Sequence, residues 1–400
     1  MAANSLLATA KTIVAALRLD MAPPLLPLDT EWGQLLHHAD GHSLTPLLYT
    51  VWRDTGQFEQ IPAEFQARLA KSYEDNTQRN HHIRAELVEV HRLLDDADVP
   101  HLVLKGWPLV EQLYTDPAQR VLYDHDFLVP AAQAQAGYQA LRDAGFVPLP
   151  GKDEWIEKHL TPIWRNNGYQ WDGYLFDPHY PRPVELHLLL WEDGWRGLQV
   201  KPLPAPWTDT RYCAVAGVDM QLLSLENTLV HLAMHFAGHL VEREARLNQL
   251  LDLARFVQQQ AEGLDWVQCI AQTEQANVGR FVYASLWLAH QVFGAPLPPP
   301  AVWPQFVAAV PAAFAGWLTT SAVEDVLTSD YRRLEKGKDY QLTFLAAGSI
   351  AERLGTVRFA LLPPQGQLIK KYKIRHRQLT PLYYPYYIIE RLITYGRGML

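Results

Sequence analysis

The stretch from Leu102 to Val129, LVLKGWPLVEQLYTDPAQRVLYDHDFLV, decides how this chain of 400 residues is organised. It opens with a short apolar run that ends at Lys105-Gly106, which is typical of a buried strand followed by a turn. It closes with VLYDHDFLVP, where β-branched and aromatic residues surround the acids and predict a second strand. WPLVEQLY between them favours a short helix. The stretch therefore predicts a strand-turn-helix-strand unit.

The residues before this stretch predict helices up to about residue 95. The longest predicted helix runs from Pro62 to Asp96, where good helix formers accompany apolar residues at three- and four-residue steps. Pro62 suits a first helical turn. A shorter buried helix is predicted to begin near Thr45-Pro46. The chain thus opens with a helical region.

The residues after this stretch continue a mixed α/β pattern to about residue 192 and then become helical. A helix that ends at Gly145 is followed by three candidate strands, FVPL at 146–149, YQWDGYLF at 169–176 and PVELHLLLW at 183–191. Beyond about residue 220, Ser224 is a plausible N-cap for the helix SLENTLVHLAMHFAGHL. Three more amphipathic helices are predicted after it.

These patterns predict an α+β fold with a small mixed β-sheet core between two helical regions. The predicted boundaries are 1–96 for the helical N-terminal region, 97–222 for the α/β core and 223–400 for the helical C-terminal region. A Pro-rich connector, PLPPPAVWP, interrupts the last region, which ends in a basic, Tyr-rich tail from Lys370.

The composition narrows the classes of function. Hydrophobic residues make up 48% and charged residues 20% of the chain, which is ordinary for a globular protein. The net charge of -8 argues against bulk attraction to nucleic acid. Cys213 and Cys269 are too few for a disulfide framework, so a reducing, cytoplasmic compartment is expected. No apolar run reaches the ~20 residues that span a bilayer, and no signal-peptide pattern is visible.

The acids of the predicted second strand carry the main chemical hypothesis. Asp124 and Asp126 are two residues apart, so their side chains project to one face of a strand. D-x-D alone is a common string, but carboxylates within an apolar strand are costly unless they are paired or bind a metal. Mg²⁺ (or Mn²⁺) is the cation expected between these carboxylates. It would stabilise the attacking and leaving oxygens of a phosphoryl transfer. Glu185 is the candidate third ligand, with His187 on its face.

The turn before the acids offers contacts for a triphosphate. Gly106 follows a strand and precedes a helix, where backbone N–H groups can approach phosphates closely. Lys105 adds a mobile positive charge. Arg120, just before the acidic strand, can grip phosphate in a bidentate manner. These three residues are the candidate nucleotide-binding residues.

The same residues carry a resemblance to a known family. The stretch resembles the signature of a bacterial family of putative nucleotidyltransferases in the superfamily of polymerase β and kanamycin nucleotidyltransferase. The matching positions are Lys105, Gly106, Tyr114, Arg120, Asp124, Asp126 and Val129. PVELHLLLW is similar to the family's later strand, and the helix pair after residue 224 matches with His235, Arg246 and Asp252. The chain departs from the wider superfamily in having Lys-Gly in place of Gly-Ser.

A second departure concerns the slot between the two acids. His125 fills a position that is usually aliphatic in the family that the stretch resembles. A buried His beside the acids could tune a metal site, or it could reflect drift. With His187, His235, Arg246 and Asp252 it completes the candidate cleft residues.

The resemblance implies a metal-dependent nucleotidyltransferase. It would move a nucleoside monophosphate from an NTP, ATP being expected, to a hydroxyl or similar group of a small-molecule or protein acceptor. Glu185 would act as third ligand or as base. The alternatives are a kinase-like phosphoryl transferase and a non-catalytic regulatory or binding protein on the same scaffold.

Two further motifs are open to more than one interpretation. His231, His235 and His239 share one helix face, but a zinc-protease helix needs a Glu where Leu232 stands. We therefore predict a packing or substrate-facing role for them. The tail mixes Lys and Arg with four tyrosines, a pattern found at anionic membrane surfaces and more often in solvated helices. A membrane-surface partner is the third alternative for the function.

Overall fold

The structure, a computed structural model, describes residues 2–150, 158–329 and 340–398. The described N-terminal residues form the predicted helical region. α3 begins at Thr45 and α4 begins directly after Pro62, so both predicted starts are confirmed. The bounds are α1 Ala2–Leu17, α2 Trp32–Gly41, α3 Thr45–Asp54 and α4 Ala63–Asp96.

Polar residues of the long helix α4 organise the chain that leads to the acidic strand. The Asn76 and Asn80 side chains are buried and donate to backbone carbonyls between residues 117 and 120. The Arg79 guanidinium is fully buried and donates to the carbonyls of Leu122 and Asp177. Buried backbone carbonyls need hydrogen-bond partners, and the segment 117–122 has no strand partner to supply them. The side chains of α4 therefore fix this segment in place.

The strands of the described residues form one mixed sheet in the order β3-β4-β5-β2-β1-β7-β6. Its central strand β2 pairs antiparallel with β1 and parallel with β5, in a register that places Asp126 opposite Glu185. Two short helices, α5 Trp107–Leu113 and α6 Ala134–Asp143, accompany the sheet. The strand bounds are β1 Leu102–Val103, β2 His125–Leu128, β3 Val147–Pro148, β4 Ile163–Trp164, β5 Val184–His187, β6 Arg211–Val215 and β7 Val218–Leu222.

Two strand predictions are corrected by the structure. β2 begins at His125, so Asp124 lies immediately before the strand rather than within it. The predicted strand at 169–176 is wrong, because these residues form turns. The Asn167 and Asp172 side chains accept hydrogen bonds from the backbone N–H groups of Tyr169 and Tyr174. Such local bonds satisfy the backbone in a turn and compete with a sheet ladder.

The β6-β7 hairpin and β4 were not predicted. The hairpin turns at Ala216-Gly217, which both have positive φ angles, as a two-residue turn that matches the twist of the strands requires. Asn or Asp usually marks the first of these positions, and Ala216 gives no such signal. β4 has only two residues, which is too short for a periodic pattern.

The C-terminal part is helical, as predicted. Ser224 caps α7, since its hydroxyl accepts the N–H of Asn227. The bounds are α7 Leu225–Val241, α8 Leu247–Gln260, α9 Trp266–Ala276, α10 Gly279–Phe293, α11 Trp303–Ala308, α12 Ala312–Trp317, α13 Val323–Leu327, α14 Gln341–Ala346, α15 Ile350–Leu361, α16 Gln365–Tyr372 and α17 Tyr384–Gly398. None of the helices in the described ranges combines the length and apolar character needed to cross a bilayer.

The two faces of the sheet contact different layers. Phe127 and Leu186 turn to one face and share a core with α4 and α6. Because side chains alternate along a strand, Asp126, Glu185 and His187 turn to the opposite face. On that side a larger core joins the N-terminal helices to the helices after residue 224. Core packing thus crosses the proposed boundaries at residues 96 and 222, and the three-region division stays a proposal.

Candidate active site

A cavity of about 440 Å³ opens beside the acidic strand, between the sheet and helices α7 and α8. The sheet side contributes the turn at Lys105-Gly106 and the irregular segment that ends at Asp124. The helix side contributes residues of α7, of the α7-α8 connection and of α8. The cavity brings together eight residues singled out in the sequence: Lys105, Gly106, Arg120, Asp124, His235, His239, Arg246 and Asp252.

The other predicted acids and His187 form a cluster next to this cavity. His187 Nε2 lies 2.9 Å from Asp126 Oδ1 and 3.4 Å from Glu185 Oε2. One ligand atom from each of the three residues lies within 4.8 Å of the others. The Asp126 side chain is 2% exposed and that of Asp124 is 34% exposed. Asp124 therefore faces the cavity, and Asp126 lies behind it.

Lys105 joins the two aspartates. The N–H of Leu104 donates to the carbonyl of Asp126, and this backbone bond brings the next side chain alongside the acids. Lys105 Nζ lies 2.5 Å from Asp126 Oδ2 and 3.2 Å from Asp124 Oδ1. The sequence predicted Lys105 as a phosphate contact, whereas the structure has its ammonium between the carboxylates.

The charges of this cluster are strongly interdependent. Burial would raise the pKa of Asp126, but Lys105 and His187 hold that pKa well below its ordinary value. Burial raises the pKa of Asp124, and the neighbouring Asp126 charge raises it further. Burial would lower the pKa of His187, but its bonds to Asp126 and Glu185 raise it. Asp126 is therefore the member of the pair that stays ionised most readily.

The donor atoms of this cluster fit a divalent cation. Two carboxylates and an imidazole are ligands that Mn²⁺ accepts readily, and carboxylates with few protein partners suit Mg²⁺. The Nδ1 atom of His187 is buried and has no hydrogen-bond partner among the described residues. The Lys105 ammonium is the charge with which a cation would compete.

Arg120 connects the turn at Gly106 to helix α8. Its Nε and Nη2 donate to the Asp252 carboxylate at 2.8–3.1 Å, and Nη1 donates to the carbonyl of Gly106 at 3.3 Å. The Tyr114 hydroxyl donates to the same carboxylate at 2.6 Å. Burial would lower the pKa of Arg120, but Asp252 raises it. Arg120 is thus a charged, fixed wall of the cavity.

His125 lies on the other face of the sheet from the acids. Its Nε2 is 3.1 Å from Glu86 Oε2 of α4, and the same carboxylate accepts Arg182 Nε at 2.8 Å. His125 is not among the residues that line the cavity. The reason is the alternation of β2, which turns its odd-numbered residues toward α4. Glu86 was not singled out in the sequence, since a Glu within a polar helix gives no signal of burial.

The three histidines of α7 are buried to different extents beside the site. His235 and His239 line the cavity, and His231 is 3% exposed with no hydrogen-bond partner on either ring nitrogen among the described residues. Burial, together with the positive charges of His187 and Lys105, lowers the pKa of His231 to about 3. These rings are therefore neutral at physiological pH and can accept a hydrogen bond.

Aromatic residues that the sequence analysis did not single out line the cavity. Tyr123 precedes Asp124, and Trp171 and Tyr180 come from the turns between β4 and β5. The Trp171 side chain is 57% exposed at the rim, with its ring 6.3 Å from that of Tyr180. Trp171 lies within 169–176, which the sequence predicts as a strand. A strand would have placed its ring in the sheet rather than at the rim of the cavity.

Neither cysteine lines the cavity. Both Cys213 and Cys269 are free thiols. Burial raises the pKa of each, which leaves little reactive thiolate at physiological pH.

Comparison with known proteins identifies the family to which the chain belongs. No curated protein and no solved structure matches the chain. A family model described as "Uncharacterised nucleotidyltransferase" matches residues 29–294, about two thirds of the chain. The match includes the acidic strand, the turn at Lys105-Gly106 and helices α7 and α8. The chain therefore belongs to this family of uncharacterised nucleotidyltransferases.

Proposed function

We propose that this chain transfers a nucleoside monophosphate from an NTP to an acceptor hydroxyl, with pyrophosphate as the leaving group. Membership of the family supports nucleotidyl transfer in general. One observation supports assigning this activity to the cluster of Asp126 and Glu185. Asp126 and Glu185 pair in register on neighbouring parallel strands, and Asp124 faces the adjoining cavity. The proposed scaffold is that of the polymerase β superfamily.

Asp126, Glu185 and His187 are the residues proposed to hold a divalent cation, Mg²⁺ or Mn²⁺, with Asp124 at its cavity side. Such an ion supplies positive charge that neutralises phosphate oxygens and polarises the reacting phosphoryl group. Glu185 is assigned as a ligand rather than as a base. Its carboxylate is held by His187 and does not line the cavity.

The cavity walls are proposed to bind the triphosphate. Arg120 uses three of its N–H groups on Asp252 and Gly106, which leaves two of the five donors of a guanidinium for phosphate oxygens. Gly106 has a φ of 78°, a conformation that favours glycine, and lines the cavity beside Lys105. Lys105 would contact phosphate oxygens once another cation neutralises Asp126.

The proposed reaction forms a bond between the acceptor oxygen and the α-phosphorus. It breaks the bond between the α-phosphorus and the oxygen that bridges it to the β-phosphate, so pyrophosphate leaves. The acceptor hydroxyl proton passes to Asp124, the carboxylate that faces the cavity. ATP is the proposed donor. The acidic chain favours a small molecule or a protein side chain over a nucleic acid as acceptor.

Calorimetric binding of the four NTPs with and without Mg²⁺ or Mn²⁺ tests the proposal. The wild type should bind at least one NTP in a metal-dependent manner, and Asp124→Asn/Asp126→Asn should lose that binding. Asp209→Asn/Asp219→Asn is the matched control, because it removes the same charge from two exposed aspartates of the β6-β7 region. Folded wild type that binds no NTP with either metal would contradict the proposal.

A non-catalytic nucleotide-binding protein is the second candidate, and Lys105 favours it. Its ammonium already neutralises the aspartate pair at 2.5 and 3.2 Å. In that case an NTP would bind without metal, and no pyrophosphate would be released with any acceptor. A kinase would instead produce ADP from ATP. Analysis of the products therefore distinguishes a nucleotidyltransferase, which releases pyrophosphate, from a kinase and from a protein that only binds the nucleotide.

A further inference from the structure

The outward face of α17 is apolar over residues 385–393. Tyr387 on its inner side is 2% exposed and packs against Leu368 and Ile374. The outward positions are Pro385, Tyr386, Ile389, Leu392 and Ile393, which recur at helical spacing and are all exposed. Four of them are more than half exposed as large apolar side chains, from 51% at Ile393 to 61% at Tyr386. A helix that borders only water normally has a polar face at these positions.

Helix α15, which contacts α17, also exposes large apolar side chains. Its buried side contains Glu352 and Thr356, and Glu352 forms an ion pair of 2.7 Å with Arg280. Its exposed side contains Ile350, Leu354 and Val357 at steps of four and three residues, with exposures of 76%, 65% and 44%. The helix therefore buries two polar side chains and exposes three large apolar ones.

Between these helices, the turn of 3-10 helix at Arg377–Tyr383 exposes Leu379 and Leu382. We define the C-terminal apolar face by the exposed large apolar residues of these three elements. They are Ile350, Leu354, Val357, Leu379, Leu382, Tyr386, Ile389, Leu392 and Ile393. Because α17 contacts both α15 and the 3-10 helix, these side chains lie on adjoining elements. Exposed large apolar side chains in such number on neighbouring elements mark an interaction site, whereas ordinary surface has them singly.

The charge around this face is opposite in sign to that of the rest of the chain. Residues 340–400 contain nine Lys and Arg and two Asp and Glu, a net charge of +7, in a chain of net charge -8. The remaining residues therefore carry -15. Lys373, Arg375 and Arg377 are exposed and lie next to Leu379 in sequence. An occupant of this face should therefore be anionic as well as apolar.

We propose that the C-terminal apolar face docks on an anionic lipid bilayer. Interfacial helices combine an apolar face with Lys and Arg, and tyrosines occupy the boundary between headgroups and acyl chains. Tyr386 lies in this face with 61% exposure, and the half-buried Tyr383 and Tyr384 lie at the junction of the 3-10 helix and α17. The docking is peripheral and independent of the proposed catalytic function. It would hold the active site near a membrane surface.

Co-sedimentation of the full chain with vesicles tests this proposal. Vesicles of phosphatidylcholine with phosphatidylglycerol should bind the protein, and vesicles of phosphatidylcholine alone should bind it far more weakly. Ile389→Asp/Leu392→Asp should abolish binding. Val267→Asp is the matched control, because Val267 is 71% exposed on α9 outside the face, and it should bind as the wild type does. Arg375→Gln/Arg377→Gln should weaken binding about fivefold for each charge removed.

Three results would overturn the proposal. The first is wild type that does not bind the anionic vesicles at low ionic strength. The second is binding that persists unchanged in both double variants while thermal unfolding shows them to be folded. The third is a stable dimer in light scattering that Ile389→Asp/Leu392→Asp dissociates, without vesicle binding. That result would show that a second copy of the chain covers the face.

Discussion

Lys105 is the residue on which the chemistry of the site depends most directly. Its ammonium contacts both aspartates and is almost fully buried, at 13% side-chain exposure. Burial would lower the pKa of Lys105, but Asp124 and Asp126 raise it, so it stays charged. A divalent cation and this ammonium therefore compete for the same carboxylates.

This competition gives a prediction for Lys105→Gln. Removing the ammonium should increase the affinity of the free protein for Mn²⁺, about tenfold or more, because two buried carboxylates lose their counter-charge. The same variant should bind ATP more weakly if Lys105 also contacts phosphate. Calorimetry with Mn²⁺ and then with ATP measures both effects. Lys71→Gln on α4 is the control, because that exposed lysine pairs with Asp75 outside the cavity. Unchanged affinity for Mn²⁺ would show that the ammonium does not occupy the cation position.

Glu86, on the opposite face of the sheet, should make stability depend on pH. Burial would raise its pKa, but His125 and Arg182 lower it to about 2 from an ordinary 4.5. The unfolded chain therefore binds more protons than the native state between these pH values. The stabilisation is complete above about pH 4.5 and is lost as the pH falls through about 2.

Glu86→Gln should remove this contribution. We expect the variant to be less stable than the wild type by about 3 kcal/mol at neutral pH, with the difference shrinking as the pH falls below 4.5. Urea unfolding across this pH range measures it. Glu89→Gln, one helical turn away and 45% exposed at its side chain, should change stability far less. A constant difference at every pH would show that the ion pair is not its cause.

At the scale of the elements, the position of α15 depends on a close backbone contact between Gly355 of this helix and Gly197. A Cβ on Gly355 would lie 2.1 Å from the carbonyl oxygen of Gly197, and one on Gly197 would lie 2.3 Å from the carbonyl oxygen of Gly355. Real Cβ contacts are never so short, so the backbones must separate to admit a side chain. The buried pair of Glu352 and Arg280 depends on the same approach, because it lies one turn along α15.

Gly355→Ala should therefore displace α15. We expect a loss of about 2–4 kcal/mol in unfolding free energy, since overpacking is accompanied by strain on a buried ion pair. Gly316→Ala is the control, because nothing lies within 4 Å of its Cβ and alanine favours a helix. It should be neutral or slightly stabilising. Equal stability of the two variants, measured by urea unfolding, would mean that α15 tolerates the added methyl group.

At the scale of the whole molecule, the cavity is shared between the sheet and the C-terminal helices. Lys105 and Asp124 stand on one side, and His235, Arg246 and Asp252 stand on the other. Arg120 and Asp252 already connect the two sides through a bidentate ion pair. A ligand in the cavity should therefore restrain both sides together.

Hydrogen-deuterium exchange with ATP and Mn²⁺ measures this restraint. We expect slower exchange at residues 104–126 and, in the same sample, at residues 232–252, because a bound ligand suppresses local opening on both sides of the cavity. Residues 63–75 of α4 are an internal control and should exchange as before. Slower exchange at only one side would show that the ligand does not bridge sheet and helices.

The sequence by itself determined the helices, the acidic strand and the family resemblance, because these depend on local periodicity and on residues close together in the chain. The α+β fold, the start of α3 and the Ser224 cap followed from such patterns. Glu185 was named from the sequence as the third acid, but only the tertiary structure decided how the acids meet. The parallel pairing of β2 with β5 brings Glu185 and His187 to Asp126 across a separation of about 60 residues.

The same distinction explains where the structure departs from the expectations drawn from the sequence. Strand alternation in the packed sheet sent His125 to Glu86, and the antiparallel pairing with β1 placed Lys105 between the aspartates. Residues 169–176, expected as a strand, instead contain Asx turns and place Trp171 at the rim of the cavity. The positions of His125 and Lys105 are not encoded in a local pattern, because each depends on which distant backbone or carboxylate satisfies a buried polar group. The turns at 169–176 depend instead on local bonds from Asn167 and Asp172, which compete with the strand pattern.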